Sequence, residues 1–166
     1  MKGIVWYRQD LRVDDHEALR SACVTFDEVI AIHVNPASIE SRLFEPGKER
    51  LEFQHETLDE LHHNLGQLGI PLIRVTGDAA ERIGEHYVEG DAVYFHRMTG
   101  VEEQQLEGRV RERFESKVFE TQTLHTDMLK EGQGFSGFRK NAERMDLPKA
   151  IDSPGHIVYR EVPRRK

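Results

Sequence analysis

Five short apolar runs, separated by connections too long to be hairpins, constrain this chain more than any other feature. They are Gly3 to about Arg8, with Ile4-Val5-Trp6-Tyr7 at its centre, Val29-Ile30-Ala31-Ile32-His33-Val34, Pro71-Leu72-Ile73-Arg74-Val75, Ala92-Val93-Tyr94-Phe95-His96 and Lys117-Val118-Phe119-Glu120-Thr121. A strand that reads as a near-continuous apolar run, with little in/out alternation, is covered on both faces, which is the habit of interior parallel strands. Parallel neighbours need crossover connections, and the intervening sequence supplies helical patterns. Ala18, Leu19 and Ala22 share a face over about His16 to Cys23. Leu51, Leu58, Leu61, Leu65 and Leu68 form one stripe over about Lys48 to Gln67. A third helix follows the Thr76-Gly77-Asp78 turn and runs to about Tyr87, and a fourth carries Leu106, Val110 and Phe114 over about Val101 to Phe114. The fold class expected is α/β: a Rossmann-like, doubly wound five-stranded parallel sheet, order 3-2-1-4-5, flanked by helices.

The breaks are as informative as the runs. Asn35-Pro36 ends the second strand, because proline cannot continue the ladder, and a loop fills 37–47. Beyond Thr123 glycines 132, 134 and 137 and prolines 148, 154 and 163 interrupt every periodicity. The division expected is an α/β domain over 1–123 and a loop, one short helix and a linker-like tail over 124–166. Charge follows the same division. From Gln133 on there are eight Lys or Arg against four Asp or Glu, so the tail carries +4, and the remainder of this −7 chain carries −11. An acidic body is a poor surface for a phosphate backbone, so direct nucleic-acid binding by this domain alone is not expected. The single cysteine, Cys23, excludes an intramolecular disulfide and fits a reducing cytoplasmic setting. No leader pattern and no membrane-spanning run is read.

In open α/β sheets ligands bind beyond the carboxyl ends of the strands. The charge cluster Arg8-Gln9-Asp10-Leu11-Arg12-Val13-Asp14-Asp15 stands at such an end, with Asp14 or Asp15 placed to cap the helix that follows. Arg8, Asp10 and Arg12 fit two roles. One is an electrostatic lip for an anionic ligand; the other, simpler one is a structural ion cluster in which Asp10 bridges two guanidiniums. With the order 3-2-1-4-5, strands one and four flank the topological switch point, so His96, Arg97 and Met98 form the opposite wall of the same crevice. His33 and Val34 end the neighbouring second strand. A glycine-rich phosphate turn is absent after strand one, which argues against a dinucleotide fingerprint. Nine histidines are present, but His55, His62 and His63 have no zinc-type spacing, and no metal is expected.

The stretch Trp6-Tyr7-Arg8-Gln9-Asp10-Leu11-Arg12-Val13-Asp14-Asp15-His16-Glu17-Ala18-Leu19 resembles the opening of the photolyase/cryptochrome family, closest to its DASH-type members. The shared pattern is an aromatic pair, Arg-x-Asp-Leu-Arg, a spaced Asp and an Ala-Leu on the first helix. The resemblance continues through the helix of 48–67, Gly77-Asp78, His96 and Phe135-Ser136-Gly137-Phe138-Arg139-Lys140, to about residue 145. It implies the N-terminal α/β domain of a two-domain flavoprotein, serving as an antenna or structural unit. The flavin-binding and DNA-contacting residues then lie in a helical domain outside this sequence, so the chain is expected neither to hold FAD nor to repair DNA alone. That flavin-binding helical domain is the partner implied, in cis or in trans.

The resemblance also places an antenna chromophore, folate-like or deazaflavin-like, against Tyr7, Arg8, Asp10, Leu11, Arg12, His33, Val34, His96, Arg97 and Met98. Folate-binding members resemble the stretch after His96 but carry a glutamate pair there. Arg97 and Met98 cannot accept hydrogen bonds from pterin donors, so a folate is less expected than an acidic ligand or none. Two other readings of the architecture remain open: a stand-alone nucleotide-binding module of the stress-protein kind, and an interaction domain without a small ligand.

Overall fold

In the computed structural model the chain is described over residues 1–35, 47–120, 134–145 and 149–155. The elements, in order, are β1 (Gly3–Tyr7), α1 (Glu17–Thr25), β2 (Val29–Asn35), α2 (Lys48–Gln67), β3 (Leu72–Thr76), α3 (Ala79–Gly84), β4 (Ala92–His96), α4 (Val101–Arg113), β5 (Ser116–Phe119) and α5 (Phe135–Ala142). The strands form one sheet in the order β3-β2-β1-β4-β5, and each neighbouring pair is parallel. Fold class and strand order are those the sequence implied.

Period-two alternation sends each strand's side chains into two separate cores. Val5, Tyr7, Ala31, Leu72, Tyr94 and Phe119 pack on α1 and α2 through Ala18, Leu19, Ala22, Leu61 and Leu65. Ile4, Trp6, Ile30, Ile32, Val93 and Phe95 pack on α3 and α4 through Ala79, Ala80, Ile83, Val110 and Phe114. All five residues of β1 are buried, as expected for the central strand of a sheet covered on both sides; each large aliphatic side chain buried this way is worth about 1.5–3 kcal/mol. At the edges the sheet is thinner: Arg74 of β3 and Lys117 of β5 are exposed, and charge on an edge strand discourages further strand pairing.

Several boundaries differ from the sequence expectation. Helix α3 stops at Gly84, and β5 starts at Ser116, covering Ser116–Phe119, while Thr121 of the expected 117–121 lies outside the described residues. Asp78 caps α3 as expected, its carboxylate accepting the N–H groups of Ala80 (2.9 Å) and Glu81 (3.1 Å). The stripe on α2 is buried only at Leu58, Leu61 and Leu65, while Leu51 and Phe53 are exposed at 37% and 69%. The first two turns of α2 thus run past the sheet, and periodicity alone does not tell where a helix outruns its partner. Gly69 ends α2 with φ 78°, a conformation that other residues take at a cost. The short helix expected in the tail is α5. The loop at 37–46 and the tail at 124–133, 146–148 and 156–166 lie outside the described residues. No described helix is long and apolar enough to cross a membrane.

Candidate functional site at the carboxyl edge of the sheet

Strand register brings the sequence candidates together. Tyr7 pairs with His33, and β1 lies between β2 and β4, so the ends of all three strands meet at one edge. What the residues do there differs from the expectation that Asp10 bridges Arg8 and Arg12.

Arg8 turns away from Asp10 and across the sheet. Its guanidinium donates to Glu107 on α4 (2.8 Å) and to the carbonyl of His96. It also lies over the Trp6 ring, 4.6 Å from the centroid, and 5.4 Å from that of Phe95. The side chains of Arg8 and Glu107 are 10% and 6% exposed, and Glu107 accepts the Met98 N–H as well (2.7 Å). A desolvated cation is tolerable when its fork finds a carboxylate, a carbonyl and an aromatic face at once. Arg12 lies on the other side of the turn, half exposed, and donates to the Asp15 carbonyl (2.9 Å).

Asp10 instead serves two histidines. One carboxylate oxygen, Oδ2, lies 2.9 Å from Nε2 of His16 and 2.6 Å from Nδ1 of His96. The other, Oδ1, accepts the Arg8 backbone N–H (3.0 Å). Burial raises the Asp10 pKa, but the bonds from His16 and His96, the His16 charge and the Arg8 amide outweigh it, leaving the carboxyl well below its ordinary 3.8. His16 and His96 are 1% and 3% exposed, and their rings are 4.3 Å apart. The far nitrogens of both rings face helix α1: Nδ1 of His16 accepts the Leu19 N–H (3.0 Å), and Nε2 of His96 the Ala18 N–H (3.4 Å). So the cap of α1 is His16, where Asp14 or Asp15 was expected. Asp15 lies in the turn before the cap with φ 50°, outside helical space.

These contacts assign the tautomers. A nitrogen that accepts a backbone N–H carries no proton, so the proton of neutral His16 sits on Nε2 and that of His96 on Nδ1, and both point at Asp10. Asp10, His16 and His96 form a group of three potential metal ligands whose donor atoms lie within 4.8 Å of one another. A cation there would need lone pairs where the hydrogen-bond network puts protons. The arrangement suits a carboxylate passing its charge through two imidazoles to the N-terminus of a helix.

The remaining candidates are also engaged within the chain. Tyr7 is fully buried, and its hydroxyl donates to the Arg12 carbonyl (3.2 Å); burial above all, with the Asp10 charge, pushes its pKa well up. Leu11 packs on the first core and Val34 on the second. His33 lies 3.1 Å from the Tyr7 carbonyl and 3.2 Å from the Asn35 side-chain oxygen, and burial lowers its pKa. Arg97 pairs with Glu120 beyond β5, and Met98 is 6% exposed, so the expected second wall is a charge pair and a core residue. Glu107 and His16 are the members the sequence reading did not single out as site residues. Glu107 carried a signal: an acid beside Leu106 and three residues before Val110 falls on the buried side of α4, where it requires a cation.

The family model for DNA photolyase matches residues 3–145. A blue-light photoreceptor of Arabidopsis thaliana is 31% identical over 171 residues, covering 90% of this chain and 37% of its own. A DASH cryptochrome of Vibrio parahaemolyticus is 25% identical, covering 93% of this chain and 38% of its own. Among solved structures, a cryptochrome of Synechocystis superposes with a TM-score of 0.82 at 23% identity, over 95% of this chain and 37% of that one. The chain thus spans somewhat over a third of the length of these two relatives.

Proposed function

The chain belongs to the DNA photolyase family, and from that premise we propose that it is the antenna or structural α/β half of a blue-light flavoprotein, seated against a flavin-binding helical domain in cis or in trans. The observation that carries this reading is α5. Phe135, Phe138 and Ala142, spaced by three and four, share one face of α5, and Met145 follows just beyond it, yet no residue of α5 is fully buried and Phe135 is 76% exposed. A helix this short does not hold together in water on its own propensity and relies on something covering its apolar side. The relatives' much greater length supports a helical domain as that cover.

On this reading FAD and DNA are handled by the helical domain, and this chain supplies a rigid sheet whose carboxyl edge holds a light-collecting chromophore. Among the described residues the edge presents Arg97 and a buried Met98 where the reading requires ligand contacts. An acidic, deazaflavin-like or flavin-like ring system suits that chemistry better than a pterin, which requires acceptors there.

The test is absorption of gently purified, desalted protein, alone and co-expressed with a helical photolyase domain. A near-ultraviolet or blue band retained with this chain, and co-purification that depends on Phe135 and Phe138, are expected. A colourless protein that takes up neither folate nor deazaflavin sinks the antenna role. Failure to hold the helical domain sinks the seating.

A further inference from the structure

The group formed by Asp10, His16 and His96 holds more than the start of α1. One residue before the cap, the Asp15 N–H donates to the Ile151 carbonyl (2.7 Å), and Asp15 Oδ1 accepts the Ile151 N–H (3.1 Å). Arg20, one turn along α1, reaches the Asp152 carbonyl (3.5 Å). Segment 149–155 therefore crosses back over the first turn of α1 as a strap. The inner side of that turn hangs on two imidazole lone pairs, and its outer side carries the strap.

We propose that Asp10, His16 and His96 are a proton-operated latch: with Nδ1 of His16 and Nε2 of His96 accepting from α1 they hold its first turn and the strap 149–155, and a proton added at His16 releases both. The proton comes from solvent and enters at Nδ1, the one lone pair on the ring. That converts the acceptor of the Leu19 N–H into a second donor facing it, and two donors repel. The groups facing His16 are Asp10 and Arg12 from the turn, His96 from β4 and the Tyr7 ring from β1, 4.6 Å away; Glu17 on α1 is exposed, and the strap's Asp152 is exposed as well. Asp10 favours the charged ring, while burial, His96 and Arg12 oppose it, and the opposing effects prevail. The latch is accordingly closed at neutral pH and opens on acidification below the ordinary histidine value of 6.5. It acts on the strap through Asp15 and the first turn of α1, where Arg20 also reaches it, and does not depend on what occupies the crevice.

The experiment is residue-resolved amide hydrogen exchange on the full chain, corrected for the intrinsic pH dependence of exchange. In a titration from about pH 7.5 down to about pH 4.5, protection of the Leu19 and Ile151 amides is expected to fall together below pH 6.5, by roughly fivefold, the effect of losing one helix cap. His16→Gln keeps an acceptor and a donor at the site but does not titrate, so its protection should be flat over the same range. A flat wild type, an equal pH response in His16→Gln, or Ile151 staying protected while Leu19 does not, each overturns the latch. Should His16→Gln fail to fold, 15N-histidine spectra of the wild type decide: the proton on Nε2 of His16 and on Nδ1 of His96 at neutral pH supports it. The opposite tautomers, or a shift of both rings on adding zinc ions, overturn it.

Discussion

The turn after β1 and the helix α5 are built to opposite standards. In the turn the charged groups Arg8, Asp10 and Arg12 find counterparts inside the chain: Arg8 with Glu107, Asp10 with His16 and His96, Arg12 with Asp15. In α5 the side-chain pair seen among the described residues is the exposed Arg139–Glu143 bridge, and its apolar face has no fully buried residue, Phe135 being exposed and Phe138 half-buried. Closed polar networks fix a geometry and become costly when cut, because a removed partner strands a buried charge. Open apolar faces contribute little to the isolated fold and matter when something covers them. The difference separates residues that make the domain from residues that, on the proposed seating, connect it.

The sharpest way to break this contrast is to cut the turn. Arg8→Leu leaves Glu107 buried without its cation and should destabilise the domain by about 3–5 kcal/mol, measured by urea unfolding. Arg8→Leu combined with Glu107→Leu removes both charges and should recover a large part of that loss. A double variant as unstable as the single would mean that the pair is not the cause. Asp10→Ala comes next, at about 2–3 kcal/mol, since both imidazole N–H groups lose their acceptor while the aliphatic packing stays.

How far these residues could be read in advance follows from their chemistry. The sheet was legible because parallel strands buried on both faces write continuous apolar runs, as β1 and β2 do, and the crevice followed from strand order. Partners were not legible. Asp10 stands between two arginines in sequence, and a local reading pairs it with them; the fold turns Arg8 toward an acid 99 positions away and leaves Asp10 to a histidine 86 positions away. Likewise the sequence offers Asp14 and Asp15 as caps, both commoner in that role than histidine. Only the meeting of β1 with β4 shows that His16 is held in place by Asp10 and can cap in their stead. Helix ends that outrun the sheet, at Leu51 and Phe53, were hidden for the same reason: a periodic stripe does not name what covers it.

Titration tests the turn without mutation. The His16 pKa is lowered by folding from its ordinary 6.5, so the unfolded chain binds the proton more readily, and stability drops as pH falls below about 6.5 toward the folded-state value. A second loss starts below the ordinary Asp10 value of 3.8, where the unfolded carboxyl is protonated before the folded one. Each kcal/mol lost should lower the melting temperature by roughly 2–4 °C. In His16→Gln the upper step should disappear and the lower one remain. If the upper step persists in that variant, another histidine is responsible, and His33, also lowered by burial, is the one to replace next.

The smallest effect on the isolated chain is expected at α5, and it is the most informative about the contrast. Phe135→Ser with Phe138→Ser removes the two largest apolar groups from a helix with no fully buried residue. Stability of the domain should therefore move by no more than about 1 kcal/mol, with the turn and its titration unchanged. The same pair of substitutions should weaken capture of a helical photolyase domain at least tenfold, because aromatic anchors carry a disproportionate share of an interface's free energy. The two measurements are read together. Lost stability with capture intact would mean that α5 belongs to the domain's own core. Lost capture at unchanged stability would mean that the domain is complete as far as its turn and sheet go, and that α5 is where it is joined to a second domain.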